Sequence, residues 1–81
     1  MDERKSIVVD AAGYRDRRRA TLEQQADRAA SEAVAADEPI TLDPMSAVER
    51  KIVHVYLQER EDVETASEGN EPNRFVVVRP V

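Results

Sequence analysis

The chain has 81 residues, of which 36% are charged and 41% hydrophobic, and its net charge is −5. This length predicts one small domain around a single core, and no stretch approaches the ~18 consecutive apolar residues of a membrane span. The absence of cysteine excludes disulfides, and a single histidine cannot complete a tetrahedral zinc site. We therefore expect a cytoplasmic protein that holds neither a metal nor a cofactor.

The glycine content excludes several enzyme and binding classes. Only Gly13 and Gly69 are present, so the chain contains no P-loop, no dinucleotide-binding fingerprint and no G-x-x-G clamp of a KH domain. The single histidine is not accompanied by a Ser-His-Asp or Cys-His motif. We therefore predict that the protein is not an enzyme.

Charge is distributed unevenly along the chain. Residues 1–20 and 50–60 each carry a net charge of +2, whereas residues 21–49 carry −6 and residues 61–81 carry −3. A protein meets phosphate through a local basic patch rather than through its total charge. The two basic segments are therefore compatible with a nucleic-acid partner, and the acidic remainder predicts weak binding.

The first half of the chain predicts a strand, a long helix and a short strand. Residues 6–10 form a β-branched run typical of a strand. Residues 14–36 show helical periodicity, with a predicted buried face at Leu22, Ala26, Ala29, Ala30, Ala33 and Val34. Pro39 ends this helix, and residues 39–42 alternate like a short edge strand.

A second helix begins at the capping box formed by Ser46 and Glu49 and ends near residues 58–60. Its predicted buried stripe consists of four residues, with a second apolar strip at Val53 and Leu57. The four stripe residues are Val48, Ile52, Val55 and Tyr56.

The last part of the chain predicts a β-hairpin. Residues 63–67 and 74–79 read as strands, and the turn formers of residues 68–73 connect them. The predicted order is strand, helix, strand, helix, strand, strand. Two helices on one face of a small sheet would bury the apolar stripes, so the predicted fold class is α/β, of the α+β type.

The most informative spacing is Arg50-x-x-x-His54. Residues i and i+4 lie on one side of a helix, about 5–6 Å apart at Cβ, and this side is predicted to be exposed, opposite the Val48/Ile52/Val55 stripe. A guanidinium beside an imidazole suits a phosphate, since both donate hydrogen bonds and both can be cationic. An ordinary solvated pair is the alternative, and spacing alone does not separate the two.

Two other basic groups are candidates. The four arginines of residues 15–19 oppose the dipole of the helix that they start, and they either contact phosphate or pair with Asp16 and Glu23. Arg74 opens an apolar strand directly after the predicted loop. Turn chemistry explains the glycine and asparagine of residues 67–70 but not this arginine.

Three separated motifs resemble a known family. Residues 44–54, which contain Arg50-x-x-x-His54, resemble the signature of the Arg-x-x-x-His domain, written R-3-H. Residues 10–18 (DAAGYRDRR) and residues 65–74 (TASEGNEPNR) resemble its bacterial Jag-type subgroup, also called KhpB or SpoIIIJ-associated proteins. The three motifs occur in the same order and cover nearly all of residues 6–81.

The resemblance implies a domain with two helices on one face of a three- or four-stranded, mostly antiparallel sheet. It also implies binding of single-stranded RNA, with single-stranded DNA as a second ligand. Arg50 would contact phosphate, His54 would donate to phosphate or to a base edge, and the hairpin would place further motif residues beside them. The candidate nucleic-acid-binding residues are Arg50, His54, Arg74, Arg17, Arg18, Ser67, Glu68 and Gly69.

Jag-type proteins place a KH domain before the R-3-H domain, and this chain has no G-x-x-G motif. We therefore interpret residues 1–12 as a junction resembling the last KH strand, residues 13–81 as the R-3-H domain, and the chain as the C-terminal part of a longer protein. The family also implies a separate KH-domain protein as a partner. The alternative function is a protein-interaction module that docks a partner or a neighbouring domain through the same helix face.

Overall fold

A computed structural model describes residues 13–81, so the strand predicted over residues 6–10 and the junction over residues 1–12 lie outside the described residues. The described part contains α1 (Arg15–Ala36), β1 (Ile40–Thr41), α2 (Ala47–Leu57), β2 (Val63–Glu68) and β3 (Phe75–Pro80). The strands form one sheet in the order β1-β3-β2, and both pairings are antiparallel. The predicted α+β fold, with two helices and an antiparallel sheet, is confirmed.

Helix α1 supplies the alanine-lined half of the core. Its buried residues are Leu22, Ala26, Ala29, Ala30 and Ala33, as predicted. Val34, which was also predicted to be buried, is exposed, because it lies about 100° around the helix axis from the centre of the buried face. The helix ends at Asp37, whose backbone adopts a left-handed φ of 57° and donates its N–H to the Ala33 carbonyl oxygen.

The central strand β3 carries the apolar centre of the sheet. Val76 and Val78 are fully buried on the side that faces the helices. Residues directly opposite each other on paired strands share a face, so Ser67 of β2 lies beside Val76 on this side of the sheet, and Ile40 of β1 lies beside Val78. The helix-facing side chains of β2 are therefore apolar at Val63 and carry hydroxyl groups at Thr65 and Ser67.

Helix α2 buries only part of the stripe that was predicted to face the core. Val48 and Val55 are 72% and 51% exposed, whereas Arg50, Val53 and Leu57 are buried. The prediction of a buried Val48/Val55 stripe and an exposed Arg50 is wrong. Apolar residues occur on most sides of this helix, so their periodicity is compatible with more than one orientation. The fully buried strip is the second one, at Val53 and Leu57, while Ile52 and Tyr56 of the predicted stripe are partly buried against the same core.

Polar contacts fix α2 against α1. The Ser46 hydroxyl accepts a hydrogen bond from the Glu49 amide at 3.3 Å and caps the helix, which confirms that half of the predicted capping box. The Glu49 carboxylate receives the Arg18 Nε at 2.9 Å, which joins the N-terminal turns of the two helices. In the last turn of α2, the Tyr56 hydroxyl donates to Asp27 of α1 at 2.8 Å. The orientation of α2 is thereby set at both ends.

Candidate nucleic-acid interface

Arg50 is a buried cation that connects α2 to the loop of the β2–β3 hairpin. It is 7% exposed, and its Nη1 donates to the Met45 carbonyl oxygen at 2.6 Å. Its Nη2 donates to the Glu71 carboxylate at 2.5 Å, and a longer contact of 3.5 Å joins Nη1 to the other Glu71 oxygen. A charged group is tolerated at this depth only when it is paired and hydrogen-bonded, and Met45 and Glu71 supply both.

The hairpin loop is held in shape by its own backbone and by Arg74. The Arg74 guanidinium donates to the carbonyl oxygens of Gly69 at 2.8 Å and Ser67 at 3.4 Å. Its own carbonyl oxygen accepts the Met45 amide at 3.1 Å. Gly69 has a φ of +90°, and a Cβ there would lie 3.0 Å from the Phe75 ring, so glycine is required. The arginine that turn chemistry left unexplained closes this loop.

His54 lies one helical turn after Arg50 and faces β2. Its Nδ1 is 2.7 Å from the Thr65 hydroxyl and its Nε2 is 3.0 Å from the Ser67 hydroxyl. Thr65 and Ser67 are two residues apart on a strand, so their side chains lie on the same face. Each hydroxyl can donate or accept, so both ring nitrogens are satisfied in either neutral tautomer.

Burial lowers the pKa of His54 below its usual value near 6.5, and the positive charge of Arg50 lowers it further. The imidazole is therefore neutral at pH 7. Protonation of His54 beside Arg50 is thereby disfavoured in the free protein. Its role there is to hold two hydroxyl groups in place.

The structure brings some of the predicted site residues together and separates others. Arg50, His54 and Ser67 meet between α2 and β2, with Gly69 and Arg74 in the adjoining loop. Glu68 points to the opposite face of the sheet, where it pairs with Arg79 at 3.1 Å.

Arg17 and Arg18 lie on α1, away from the hairpin. Arg18 pairs with Glu49, which is about 140° around the α2 axis from His54. The pairing predicted for this basic group, with Asp16 or Glu23, is therefore replaced for Arg18 by a contact with the second helix. Arg17 is exposed.

Sequence reasoning missed three residues that contribute to this surface. Thr65 completes the hydrogen bonding of His54, and its position two residues before Ser67 was the available signal. Glu71 pairs with Arg50, but the sequence carries no sign that this arginine is buried. Lys51 is exposed next to Arg50, and it has no acidic partner within residues 13–81.

Two negative findings apply to residues 13–81 alone. No helix there is long and apolar enough to cross a membrane. No group of three or more histidine or acidic side chains in that range is arranged to hold a metal ion.

Comparison with known proteins identifies the family. The model of the R-3-H domain matches residues 20–80. The chain is 44% identical over 73 residues to the RNA-binding protein KhpB of Lactiplantibacillus plantarum, covering 90% of the chain and 23% of that protein. It is 38% identical over 72 residues to KhpB of Clostridium symbiosum, covering 89% and 32%. It is 37% identical over 76 residues to KhpB of Bacillus subtilis, covering 91% and 36%.

These matches include Arg50-x-x-x-His54 within the family model, and the resemblance to the Jag-type subgroup is confirmed by relatives that carry the KhpB name. The chain spans about a quarter to a third of the length of these relatives. The two helices, the antiparallel sheet and the placement of Arg50 and His54 on one side of α2 agree with this match. The chain belongs to the R-3-H domain family.

Proposed function

We propose that this domain binds single-stranded nucleic acid, RNA in the first place and single-stranded DNA as a second ligand, at the junction between α2 and the β2–β3 hairpin. The observation that carries the proposal is the position there of Arg50, His54 and Ser67, with the exposed cation Lys51 on the adjoining side of α2, where it also borders the groove between the helices. The names of the KhpB relatives as RNA-binding proteins support the choice of RNA. The role is non-catalytic.

His54 with the Thr65 and Ser67 hydroxyls, which we call the His54 cluster, would present hydrogen-bond donors to the phosphates of the nucleic-acid backbone. Ser67 can accept from the His54 ring and donate its own hydroxyl proton outward, which suits a phosphate oxygen. Lys51 adds a mobile positive charge one turn before His54. A neutral histidine thus acts by orienting a hydroxyl, while the lysine supplies the charge.

The remaining candidate residues would contribute less directly. Arg50 would reach a phosphate only on the side now occupied by Glu71. Gly69 and Arg74 shape the hairpin loop that borders the strand path, and Glu68 belongs to the same hairpin but on its far face. Arg17 and Arg18 would contact the bound nucleic acid only if the nucleic-acid strand continues across α2.

This surface predicts weak and salt-sensitive binding. Two to four phosphate contacts give an affinity that falls with salt at a slope of roughly −0.7 per neutralised phosphate on a single strand. The overall charge of −5 adds long-range repulsion. We further propose that a KH-domain partner and the longer chain found in the KhpB relatives supply additional affinity, and that the protein acts in the cytoplasm.

Fluorescence anisotropy with labelled RNA and DNA strands of about 15 nucleotides at low salt tests the proposal, with a duplex as comparison. We expect saturable binding to the single strands that is weakened about ten-fold or more by Lys51→Gln combined with His54→Gln. Arg79→Gln is the matched control, because it removes one positive charge from the opposite face of the sheet. Equal losses in the control and the double variant, or no binding by the parent chain, would contradict the proposal.

A second candidate function, protein docking, is favoured by the unexpected exposure of Val48 and Val55. With Ile52 they line an open groove of about 500 Å³ between the two helices, and the charged residues at its border include Arg19, Glu23 and Lys51. Its occupant would be an apolar segment of a protein partner. Such binding would respond little to salt and would be abolished by Val55→Asp, whereas nucleic-acid binding would be retained.

A further inference from the structure

We propose that Glu71 is a built-in competitor for nucleic-acid phosphate: its carboxylate occupies the anion-binding side of Arg50, and a backbone phosphate exchanges with it when RNA binds. This inference rests on the proposed function and adds a regulating residue to the same surface. It comes from the unequal burial of the two partners. The Arg50 side chain is 8% exposed and the Glu71 side chain is 59% exposed.

The geometry leaves only one side of Arg50 available to a ligand. One guanidinium nitrogen is committed to the Met45 carbonyl oxygen at 2.6 Å, inside the protein. Nη2 donates to Glu71 at 2.5 Å, with a longer contact of 3.5 Å from Nη1, and Glu71 is the partner that reaches solvent. A phosphate approaching Arg50 from outside therefore meets the carboxylate first.

Carboxylate and phosphate are interchangeable partners for this group. Both are anions with two or more oxygens that accept the parallel N–H donors of a guanidinium. In an exchange, Arg50 stays paired throughout, so the cost of an unpaired buried charge does not arise. The free protein keeps its arginine compensated by Glu71, and the complex keeps it compensated by phosphate.

The loop permits this exchange without unfolding. Its backbone shape is held by the Asn73 amide, which donates to the Asn70 carbonyl oxygen at 2.8 Å, and by Arg74 bound to Gly69. Neither contact involves the Glu71 side chain. The carboxylate is thus free to rotate into solvent while the loop and the His54 cluster remain in place.

Two consequences follow for binding. The carboxylate lowers affinity because it must be displaced, and once displaced it remains close to the bound phosphates and repels them. Replacing it by the isosteric amide removes the charge repulsion and weakens the competition, while it retains a hydrogen-bond acceptor for Arg50. Glu71→Gln should therefore bind RNA more tightly than the parent chain.

The test measures anisotropy with a labelled oligouridylate of about 15 nucleotides for the parent, Glu71→Gln and the matched control Glu68→Gln. The control removes an equal charge from the same hairpin, but its carboxylate pairs with Arg79 on the far face. We expect Glu71→Gln to tighten binding about three- to five-fold, in line with the strength of a partly exposed ion pair, and Glu68→Gln to change it less than about two-fold.

A carbon-detected NMR titration of the parent chain reports the exchange directly. The Glu71 side-chain carboxyl resonance should move on addition of the oligonucleotide towards the value of a solvated glutamate, while that of Glu68 stays in place. An unmoved Glu71 resonance, or Glu71→Gln binding no tighter than Glu68→Gln, overturns the exchange. If Glu71→Gln binds more weakly, Glu71 contacts RNA itself, and the exchange is likewise overturned.

These outcomes are separate from a failure of the proposed function. If the parent binds and the Lys51/His54 double variant does not, the nucleic-acid surface stands whatever Glu71→Gln does. If neither the parent nor Glu71→Gln binds the oligouridylate or the other single strands, the proposed function and the exchange are both overturned.

Discussion

Two arginine–carboxylate pairs connect helix α2 to neighbouring elements, and they differ in the solvent exposure of their partners. We interpret the first as a structural contact and the second as a binding contact. Arg18 and Glu49 join α1 to α2, and their side chains are similarly exposed, at 33% and 25%. Arg50 and Glu71 join α2 to the hairpin loop, with a buried arginine and an exposed glutamate. The first pair has no side that a ligand would reach more easily than the other. The second pair presents its anion outward, so an external anion can replace it.

The comparison also shows how neighbouring residues of one helix acquire different roles. Glu49 and Arg50 are adjacent in the chain, but successive residues project about 100° apart around a helix. Glu49 therefore faces α1, and Arg50 faces the hairpin. The helix acts as a spacer that separates the helix–helix contact from the proposed nucleic-acid surface.

Removal of each arginine in turn should have the largest effect on stability. We expect Arg50→Ala to lower the free energy of unfolding by about 2–3 kcal/mol, because it leaves the Met45 carbonyl oxygen without its donor and creates a cavity. Arg18→Ala should cost less than about 1 kcal/mol, since a partly exposed ion pair is worth little. Urea unfolding followed by circular dichroism measures both, and equal losses would contradict the assigned difference in burial.

A second pair of variants tests which side of α2 is buried. Val53→Ala, on the buried side, should lower the unfolding free energy by about 2 kcal/mol through lost apolar contact and a residual cavity. Val55→Ala, on the exposed side, should change it by less than about 0.5 kcal/mol. Both substitutions remove the same atoms from the same helix, so the helix propensity change cancels. A reversed order would show that the side predicted from periodicity is the buried one.

The smallest expected effect concerns the pH dependence of stability at His54. Because its pKa is lowered in the folded protein, by burial and by Arg50, the unfolded chain binds the proton more readily. His54 therefore favours folding fully above about pH 6.5, and this contribution is lost as the pH falls through the lower folded pKa.

The measurement is the urea midpoint of the parent and of His54→Gln between about pH 8 and pH 5. We expect the difference between the two proteins to be constant above about pH 7 and to shrink on acidification. Since His54 is the single histidine in the chain, the change between the two proteins in this range belongs to it. A difference that grows on acidification would mean that the folded state raises the pKa.

The order of helices and strands in residues 13–81 could be predicted from the sequence because each element carries its own local signal. The alanine face of α1, the Ser46 cap and the turn formers after Glu68 act within a few residues of where they stand. Such signals do not need the rest of the fold. The family resemblance has the same origin, since its motifs are contiguous stretches of chain.

The candidate site could be predicted only in part. The spacing of Arg50 and His54 places them on one side of a helix whatever the helix packs against. Whether that side is exposed depends on which of several apolar strips of α2 meets the core, and periodicity alone does not decide between them. The residues that complete the site, Thr65 and Glu71, come from other elements and become neighbours only when the sheet and hairpin are in place.

Short-range periodicity and spacing were sufficient to predict the helices, the strands, the family and the placement of an arginine and a histidine on one side of a helix. Tertiary packing was needed to establish that the arginine is buried and that the pKa of the histidine is lowered. Burial and pKa depend on what surrounds a group in space, and here the hairpin loop and β2 provide those surroundings from residues that lie 11 to 21 positions away in the chain.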